Sequence, residues 1–362
     1  MSTRCGSWIF VFWFSLVSGL AQQNGPAAQS EPAAPVPLAS ADRRMTLDVV
    51  VSDKSGKPIS GLQQEDFTLV DNKQPSKIVS FHAVEGGAAT ADPPVEVILL
   101  VDEVNTTISN LAFERYQIEK FLRQNNAELA RPASMVYLSD SGVMVGNTST
   151  RDGNAIIADL EQKTLGLRTI RKSQGLYGAA DRLFLCFRTL ERLADYETPK
   201  PGRKLLIWIS PGWPLLSTPE VGMNPKQRQG LFNSIVGISD RLRRARITLY
   251  AVDPLGTEDE DRTRMYVYEN FLKPVRKAGQ AEPGNLALQA LAAQSGGRVL
   301  NASNDVAGEI EACVADANTF YVLSFDGLPG DGPNEYHALE IKIDKPGLAA
   351  RTRSGYYAQP EH

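Results

Sequence analysis

Histidine and cysteine are scarce in this sequence, which has three of each among 362 residues. His82, His337 and His362 are the only histidines, and none lies in a motif with zinc-ligand or nucleophile spacing. Most zinc sites and most hydrolytic triads are therefore excluded.

The sequence also lacks a glycine-rich phosphate loop after its first buried strand, and it has no basic stripe. Lysine and arginine number 38 against 42 acidic residues, which gives a net charge of −4. One basic run, 241–246, ends a predicted helix, where positive charge complements the helix dipole and is solvated. We therefore expect no nucleic acid as a partner.

Only the amino terminus combines an apolar run with the flanks of a targeting segment. Arg4 precedes the apolar residues 8–17, and Ser-Gly-Leu-Ala ends the segment at Ala21. This pattern predicts a signal peptide over residues 1–21 and a secreted, periplasmic or cell-envelope protein. A membrane anchor is the alternative, but the run is short for a bilayer span. We expect no transmembrane helix after cleavage.

Composition and periodicity divide the rest of the chain into four parts. Residues 22–43, rich in Ala, Pro, Gln and Ser, predict a flexible linker. Residues 44–85 and 318–358 show short β patterns, whereas residues 95–317 alternate strands with helices. Neither β part is large enough to be stable alone, so we expect the two to pack into one small β-sandwich.

The part from 95 to 317 has continuous apolar runs, which favour strands buried on both faces of a mostly parallel sheet. We predict an α/β, doubly wound, Rossmann-like architecture. The predicted strands are 95–102, 133–138, 203–210, 247–252 and 298–300, and the predicted helices are 111–129, 152–162, 176–196, 226–244, 285–294 and 305–317. The acidic run 258–261 is interpreted as a solvated loop. Cys186 and Cys313 fall in predicted helices, and the sequence does not show whether they pair.

Asp102 is the first candidate functional residue. It ends the buried run VEVILLVD, and the small polar residues Asn105 and Thr106 follow within four residues. Open α/β sheets bind ligands beyond the carboxyl ends of their strands, which is where this carboxylate is expected to lie. The alternative is that Asp102 caps the following helix.

The order of these segments resembles a von Willebrand factor A domain over residues 95–317. The resemblance rests on VEVILLVD, RKLLIWIS, ITLYAVDP and LQALAAQSGG, in that order. The whole chain further resembles a bacterial secreted family related to von Willebrand factor A, through VVVSDKSGKP (49–58), EDF (65–67) and RSGYY (353–357). The resemblance implies a doubly wound sheet whose top face holds a divalent ion, with one coordination position open to a partner's carboxylate.

In that family the ion is held by an Asp-x-Ser-x-Ser loop, a later Thr and a later Asp. Asp102 and Thr106 match the ends of the loop, but Val104 replaces its first Ser. Ser173 is the weak match for the Thr, and Ser210 stands near the place of the final Asp. The resemblance therefore implies a degenerate adhesion site for Mg²⁺ or Ca²⁺. Its candidate ligands are Asp102, Asn105, Thr106, Ser173 and Ser210.

The main functional hypothesis is a secreted, non-enzymatic, adhesion-type module that binds a protein or cell-surface ligand through this top face. A structural component of an envelope assembly, without metal, is the first alternative. A haloacid dehalogenase-like phosphatase is the second, because that family also resembles the chain at Asp102 and Ser210. Its chemistry needs a second carboxylate two residues after the nucleophile, and Val104 stands there.

Overall fold

The structure, a computed structural model, describes residues 43–86, 94–146, 148–163, 175–213, 223–254, 268–301 and 303–361. The predicted signal peptide, the linker up to residue 42, Ser173 and the acidic run 258–261 lie outside these ranges. Across the described ranges, no helix has both the length and the hydropathy needed to cross a membrane.

The elements are numbered here along the chain. The described strands are β1 (Arg44–Ser52), β2 (Phe67–Asp71), β3 (Gln74–Ser76), β4 (Ile78–Glu85), β5 (Val95–Asp102), β6 (Glu128–Ser139), β7 (Gly142–Val145), β8 (Thr150–Asp152), β9 (Arg203–Ile209), β10 (Ile247–Val252), β11 (Val299–Leu300), β12 (Thr319–Asp326), β13 (Glu335–Ile343), β14 (Ala349–Arg351) and β15 (Gly355–Ala358). The described α-helices are α1 (Ile108–Leu122), α2 (Gly153–Gln162), α3 (Gly175–Glu197), α4 (Pro225–Arg244), α5 (Leu288–Gln294) and α6 (Val306–Ala315).

The central sheet has the strand order β11-β10-β9-β5-β6-β7, and β8 pairs with β6. Strands β5, β6, β9, β10 and β11 are parallel, whereas β7 and β8 run antiparallel to β6. Successive residues of β5 point to opposite faces of the sheet, each of which has its own hydrophobic core. Leu99 packs with α1, α2 and α6, whereas Leu100 packs with α3, α4 and α5. The doubly wound, mostly parallel sheet predicted from the apolar runs is confirmed.

The cysteines lie in these two different cores. Cys186 on α3 and Cys313 on α6 are both fully buried, and both are free thiols. Because the central sheet separates them, the two thiols do not pair.

The two ends of the described chain form one β-sandwich. Its sheets have the orders β14-β1-β12-β4 and β15-β13-β2-β3. Strand β1 pairs antiparallel with β12, and β2 pairs antiparallel with β13, so each sheet combines amino-terminal and carboxyl-terminal strands. Leu47, Leu69, Leu323 and Leu339 share one core between the sheets. The predicted packing of the chain ends is confirmed.

Residues 350–357 do not form a single strand, because the chain changes sheets within this range. Strand β14 pairs with β1, and β15 pairs with β13 in the other sheet. Between them, the Thr352 hydroxyl donates to the backbone oxygen of Asp48, and the Ser354 amide donates to that of Gln294. These hydrogen bonds replace strand pairing at the crossing. The RSGYY sequence therefore spans this crossing and the start of β15.

The predicted helix 111–129 starts too late and extends too far. The Thr107 side chain caps α1 by accepting from the Asn110 amide, and α1 ends at Leu122. Asn125 and Asn126 then have φ values of 49° and 59°. Asparagine is the non-glycine residue most tolerant of this left-handed region, so the Asn-Asn pair was the missed stop signal. Similarly, the predicted helix 285–294 is a 3₁₀ turn (Pro283–Leu286) followed by α5.

A buried polar network around Asp316 joins the sandwich to the α/β part. The Tyr250 hydroxyl donates to Asp316 Oδ2 over 2.9 Å, and Arg203 donates to the Asp316 backbone oxygen over 2.7 Å. Arg351 of β14 forms an ion pair with the same carboxylate. Burial, followed by the nearby Asp316 charge, raises the pKa of the Tyr250 hydroxyl, so it stays a donor at neutral pH.

Replacement of Asp316 by alanine is expected to lower the free energy of unfolding by about 3–5 kcal/mol, because Arg351 and Tyr250 would lose their buried acceptor. Urea unfolding monitored by far-UV circular dichroism measures this. The matched control is Asp326→Ala, which removes an exposed pair with Arg44 and is expected to change stability by less than about 1 kcal/mol. Similar losses in the two variants would contradict a special role for Asp316.

Candidate functional site

Asp102 and the residue after β9, Ser210, lie at the same edge of the central sheet. Strands β5 and β9 are parallel neighbours, with Val101 opposite Ile209. Their carboxyl ends therefore meet, and the loop 103–107 runs from this edge into α1. The expected position of Asp102 is what the structure shows, but the cap of α1 is Thr107 and not Asp102.

The Asp102 carboxylate accepts four hydrogen bonds from the protein. The backbone amides of Val104 and Asn105 each donate to Oδ1 over 3.0 Å. Oδ2 accepts from Asn105 Nδ2 over 2.8 Å and from Trp208 Nε1 over 3.1 Å. An ionised carboxylate offers about four lone-pair positions, and all four are filled here. The side chain has no exposed area.

Asn105 and Thr106 also direct their polar groups inward. Asn105 Nδ2 lies 3.1 Å from Cys186 Sγ, and the Thr106 hydroxyl donates to Glu114 Oε1 over 2.7 Å. Val104 is buried in the core shared with α3. Burial, and then the Asp102 charge, raises the pKa of the Cys186 thiol well above its usual value. This thiol is therefore not activated as a nucleophile.

Ser210 takes part in a tight turn. Its hydroxyl accepts from the Gly212 amide over 3.1 Å, and the residue is almost fully buried. Gly212 has a φ of 106°, and a Cβ there would lie 2.6 Å from Gln289 Nε2, so glycine is required. The turn brings Trp213 edge-on against Trp208, with ring centroids 5.2 Å apart.

These residues do not fit a Mg²⁺ or Ca²⁺ ion in their present arrangement. Hard cations need oxygen donors with free lone pairs, whereas Asp102 is surrounded by N–H donors. Asp102 and Asn105 are in contact, but Thr106 and Ser210 bond elsewhere, and Ser173 lies outside the described residues. Within the described ranges, no group of three His, Cys, Asp or Glu side chains has a metal-binding arrangement. Ion binding at Asp102 would require Trp208 or Asn105 to move.

Trp208 is the residue of this site that the sequence analysis missed. Its indole lies in the apolar sequence RKLLIWIS and is fully buried. A buried indole N–H needs an acceptor, and the adjacent strand ends in a carboxylate. Those two facts together were the available signal.

Exposed apolar side chains lie beside this site on α1. Ile108 is 66% exposed, Tyr116 is 62% exposed and Phe113 is 38% exposed. At 100° per residue, Tyr116 lies between the other two around the helix, so all three project from one side. Helix α1 begins directly after the Asp102 loop, and its opposite side packs on the sheet through Leu111 and Ile118.

No protein-family model and no curated protein matches this sequence. Similar solved structures include a von Willebrand factor type A protein from Catenulispora acidiphila, with 11% identity, a TM-score of 0.34 and coverage of 87% of this chain and 74% of that one. The SpRpn10 VWA domain is 11% identical, with a TM-score of 0.27 and coverage of 60% of this chain and 94% of that one. The pilus adhesin SpaC from Lactobacillus rhamnosus GG is 9% identical, with a TM-score of 0.36 and coverage of 86% of this chain and 50% of that one. Likenesses this distant carry no inference about function.

Replacement of Asp102 by alanine is expected to lower the free energy of unfolding by about 3 kcal/mol, because the Trp208 and Asn105 donors would be left buried without an acceptor. Chemical unfolding of both proteins measures this loss. The matched control is Asp195→Ala. Asp195 lies on α3 and is an exposed partner of Arg241, so its loss is expected to lower the free energy of unfolding by less than about 1 kcal/mol.

The wild-type protein is expected to give no binding heat with Mg²⁺, Mn²⁺ or Ca²⁺ and no rise in melting temperature, because the carboxylate has no free lone pair. Isothermal titration calorimetry and thermal unfolding after chelator treatment test this. Wild-type heat that disappears in Asp102→Ala would instead support the degenerate ion site.

Proposed function

We propose that this protein is a secreted, non-enzymatic module that binds another protein through the exposed side of α1. The observation that carries the proposal is the group of Ile108, Phe113 and Tyr116, which place apolar and aromatic surface in water beside the rim of the sheet. Apolar side chains grouped in this way on a soluble domain are typical of protein-binding surfaces, where aromatic residues supply much of the affinity. The amino-terminal targeting pattern supports an extracytoplasmic location.

The surroundings of Asp102 support a non-enzymatic role. A nucleophilic aspartate must approach its substrate, but this carboxylate has no exposed area and accepts four hydrogen bonds. Val104 stands where a haloacid dehalogenase-like phosphatase needs its general acid, and the Val104 side chain is buried. Asp102 and Val104 therefore supply neither a reachable nucleophile nor a proton donor beside it.

We further propose that recognition does not pass through a bound ion. In a metal-dependent adhesion site, the ion binds a carboxylate of the partner. Here the equivalent loop is occupied by its own hydrogen bonds, and hydrophobic contact with α1 takes over the recognition. Binding should therefore be insensitive to chelators and only weakly dependent on salt.

The test is affinity capture from the producing organism's envelope fraction with the purified mature chain. The double variant Ile108→Ser, Tyr116→Ser is expected to weaken binding of the captured protein about 30-fold or more, because loss of one aromatic anchor costs about 2 kcal/mol or more. Phe184→Ser is the matched control, since Phe184 is also 62% exposed but lies on α3, across the sheet. Binding of the purified partner to each variant is then measured by calorimetry, with and without chelator.

Equal loss in the double variant and the Phe184 control would contradict α1 as the binding surface. Binding abolished by chelator would contradict the ion-independent mechanism. Recovery of no protein above background under several conditions would favour the structural envelope component over the binding module.

A further inference from the structure

A cavity lies at the amino-terminal edge of the central sheet, at the opposite end of the strands from Asp102. Strand β6 begins at Glu128, but its pairing with β5 starts only at Ala133, so the first residues of β6 extend beyond the neighbouring strand. This extension, the carboxyl-terminal end of α1 and the last turns of α6 line the cavity, which has a volume of about 160 Å³. A cavity of about 150 Å³ accommodates benzene, so this one has room for a body of about six carbon atoms.

Buried apolar side chains form the inner wall of this cavity. Val97 of β5, Phe121 of α1 and Leu129 of β6 line it, and all three are almost fully buried. They belong to the hydrophobic core that packs α1, α2 and α6 against the sheet. The inner wall therefore offers hydrophobic contact to a ligand.

The turn between α1 and β6 borders the cavity in a strained conformation. Asn125, Asn126 and Ala127 have φ values of 49°, 59° and 62°, and Asn125 lines the cavity. Asparagine tolerates this left-handed region, but alanine is rarely found there. Backbone strain of this kind persists only where the surrounding structure holds it, and it is concentrated at functional sites.

Arg131 places a buried positive charge at the cavity. It is one of the lining residues and is 2% exposed. Its Nη2 atom donates to the Gly86 backbone oxygen over 2.7 Å, and its Nε atom donates to Asn318 Oδ1 over 3.3 Å. Both acceptors are neutral, and Arg131 has no carboxylate partner among the described residues. Burial, and then the charge of Arg151, lowers the pKa of Arg131, so an added negative charge would stabilise the guanidinium.

Two side-chain N–H groups at the cavity are available to a ligand. Asn318 also lines the cavity, and its side-chain oxygen is the acceptor for Arg131. In the part of the chain that the structure describes, neither Nη1 of Arg131 nor the amide nitrogen of the Asn318 side chain makes a hydrogen bond. Adjacent guanidinium and amide donors suit a carboxylate group.

Two acidic side chains on the outer side of the cavity limit the charge of its ligand. Glu128 and Glu311 line the cavity and are exposed to solvent. Glu128 lies 3.7 Å from Arg151, and Glu311 accepts from Gln124 over 3.3 Å. Because solvent screens these exposed charges, they oppose one buried carboxylate only weakly. They would repel the second charge of a dianion, which would have to lie nearer the mouth.

We propose that this cavity binds a small monocarboxylate with an apolar body of about six carbon atoms. Its carboxylate accepts hydrogen bonds from Arg131 and Asn318, and its body packs against the inner wall. The ligand supplies the negative charge that no described residue gives to Arg131. The cavity includes no residue of the α1 surface proposed above, so this binding does not depend on that function.

The experiment compares three probes that share one ring and differ in charge. Benzoate is a monocarboxylate, benzamide is its neutral analogue, and phthalate is a dianion. NMR titration of the full mature chain is expected to show one site for benzoate, with about tenfold or more tighter binding than benzamide, because hydrogen bonds between charged groups are stronger. Phthalate is expected to bind more weakly than benzoate.

The diagnostic variant is Asn318→Asp, which keeps the shape of the side chain and its acceptor for Arg131 Nε. The new carboxylate takes the place of the ligand's, so benzoate binding is expected to weaken about tenfold or more. The same charge gives Arg131 an ion-pair partner, and the melting temperature is expected to rise by about 2 °C or more. Weaker binding together with higher stability could not result from unfolding.

The matched control is Asn233→Asp, which makes the same chemical change at an exposed position of α4, outside the cavity. It is expected to bind benzoate as the wild type does. Arg131→Gln removes the buried charge and is expected to weaken benzoate binding about tenfold or more without changing benzamide binding. If Arg131→Gln does not fold, as judged by circular dichroism, Asn318→Asp gives the decisive result.

Four results would each overturn the proposal. They are no benzoate binding to the wild type at millimolar concentration, equal affinity for benzoate and benzamide, phthalate binding as tight as that of benzoate, and benzoate binding unchanged in Asn318→Asp.

Discussion

The hydrogen bonds around the buried carboxylate of Asp102 determine what the rim of the central sheet can do. They join the tip of β5 to the following loop, to Trp208 of β9 and, through Asn105, to Cys186 of α3. A buried carboxylate is stable only when its oxygen atoms accept hydrogen bonds. Here the loop closes over the carboxylate and supplies donors to it. The same closure fills the lone-pair positions of the carboxylate with hydrogen bonds from the protein.

A second buried carboxylate, Asp316, has the corresponding role near the opposite edge of the sheet. Arg203, the first residue of β9, donates to its backbone oxygen, and Arg351 of the sandwich pairs with its side chain. Asp102 therefore fixes the carboxyl ends of the strands, and Asp316 fixes the sandwich near their amino ends. The sandwich strands come from distant parts of the chain, so this anchoring holds both chain ends against the sheet.

The apolar periodicity predicted the layers of this fold well, because strands buried on both faces must be continuously apolar. It could not locate the crossing at Thr352–Ser354, which depends on hydrogen bonds to Asp48 and Gln294 from far away in sequence. The candidate site was predicted in part. Asp102 and Asn105 do lie together, but the direction of each polar group depends on Trp208 and Glu114, which no local pattern connects to the loop.

Val104 shows how the loop after β5 turns side chains toward the core. Its side chain is 2% exposed and packs into the core beside α3. With Val104 and the Asp102 carboxylate both turned inward, the loop presents little chemistry of its own to solvent. Helix α1 begins directly after this loop with Thr107 as its cap, and the first side chain of that helix, Ile108, is the most exposed large apolar side chain in the described structure. The hydrogen-bonded loop thus leads directly into a helix whose exposed side carries apolar side chains.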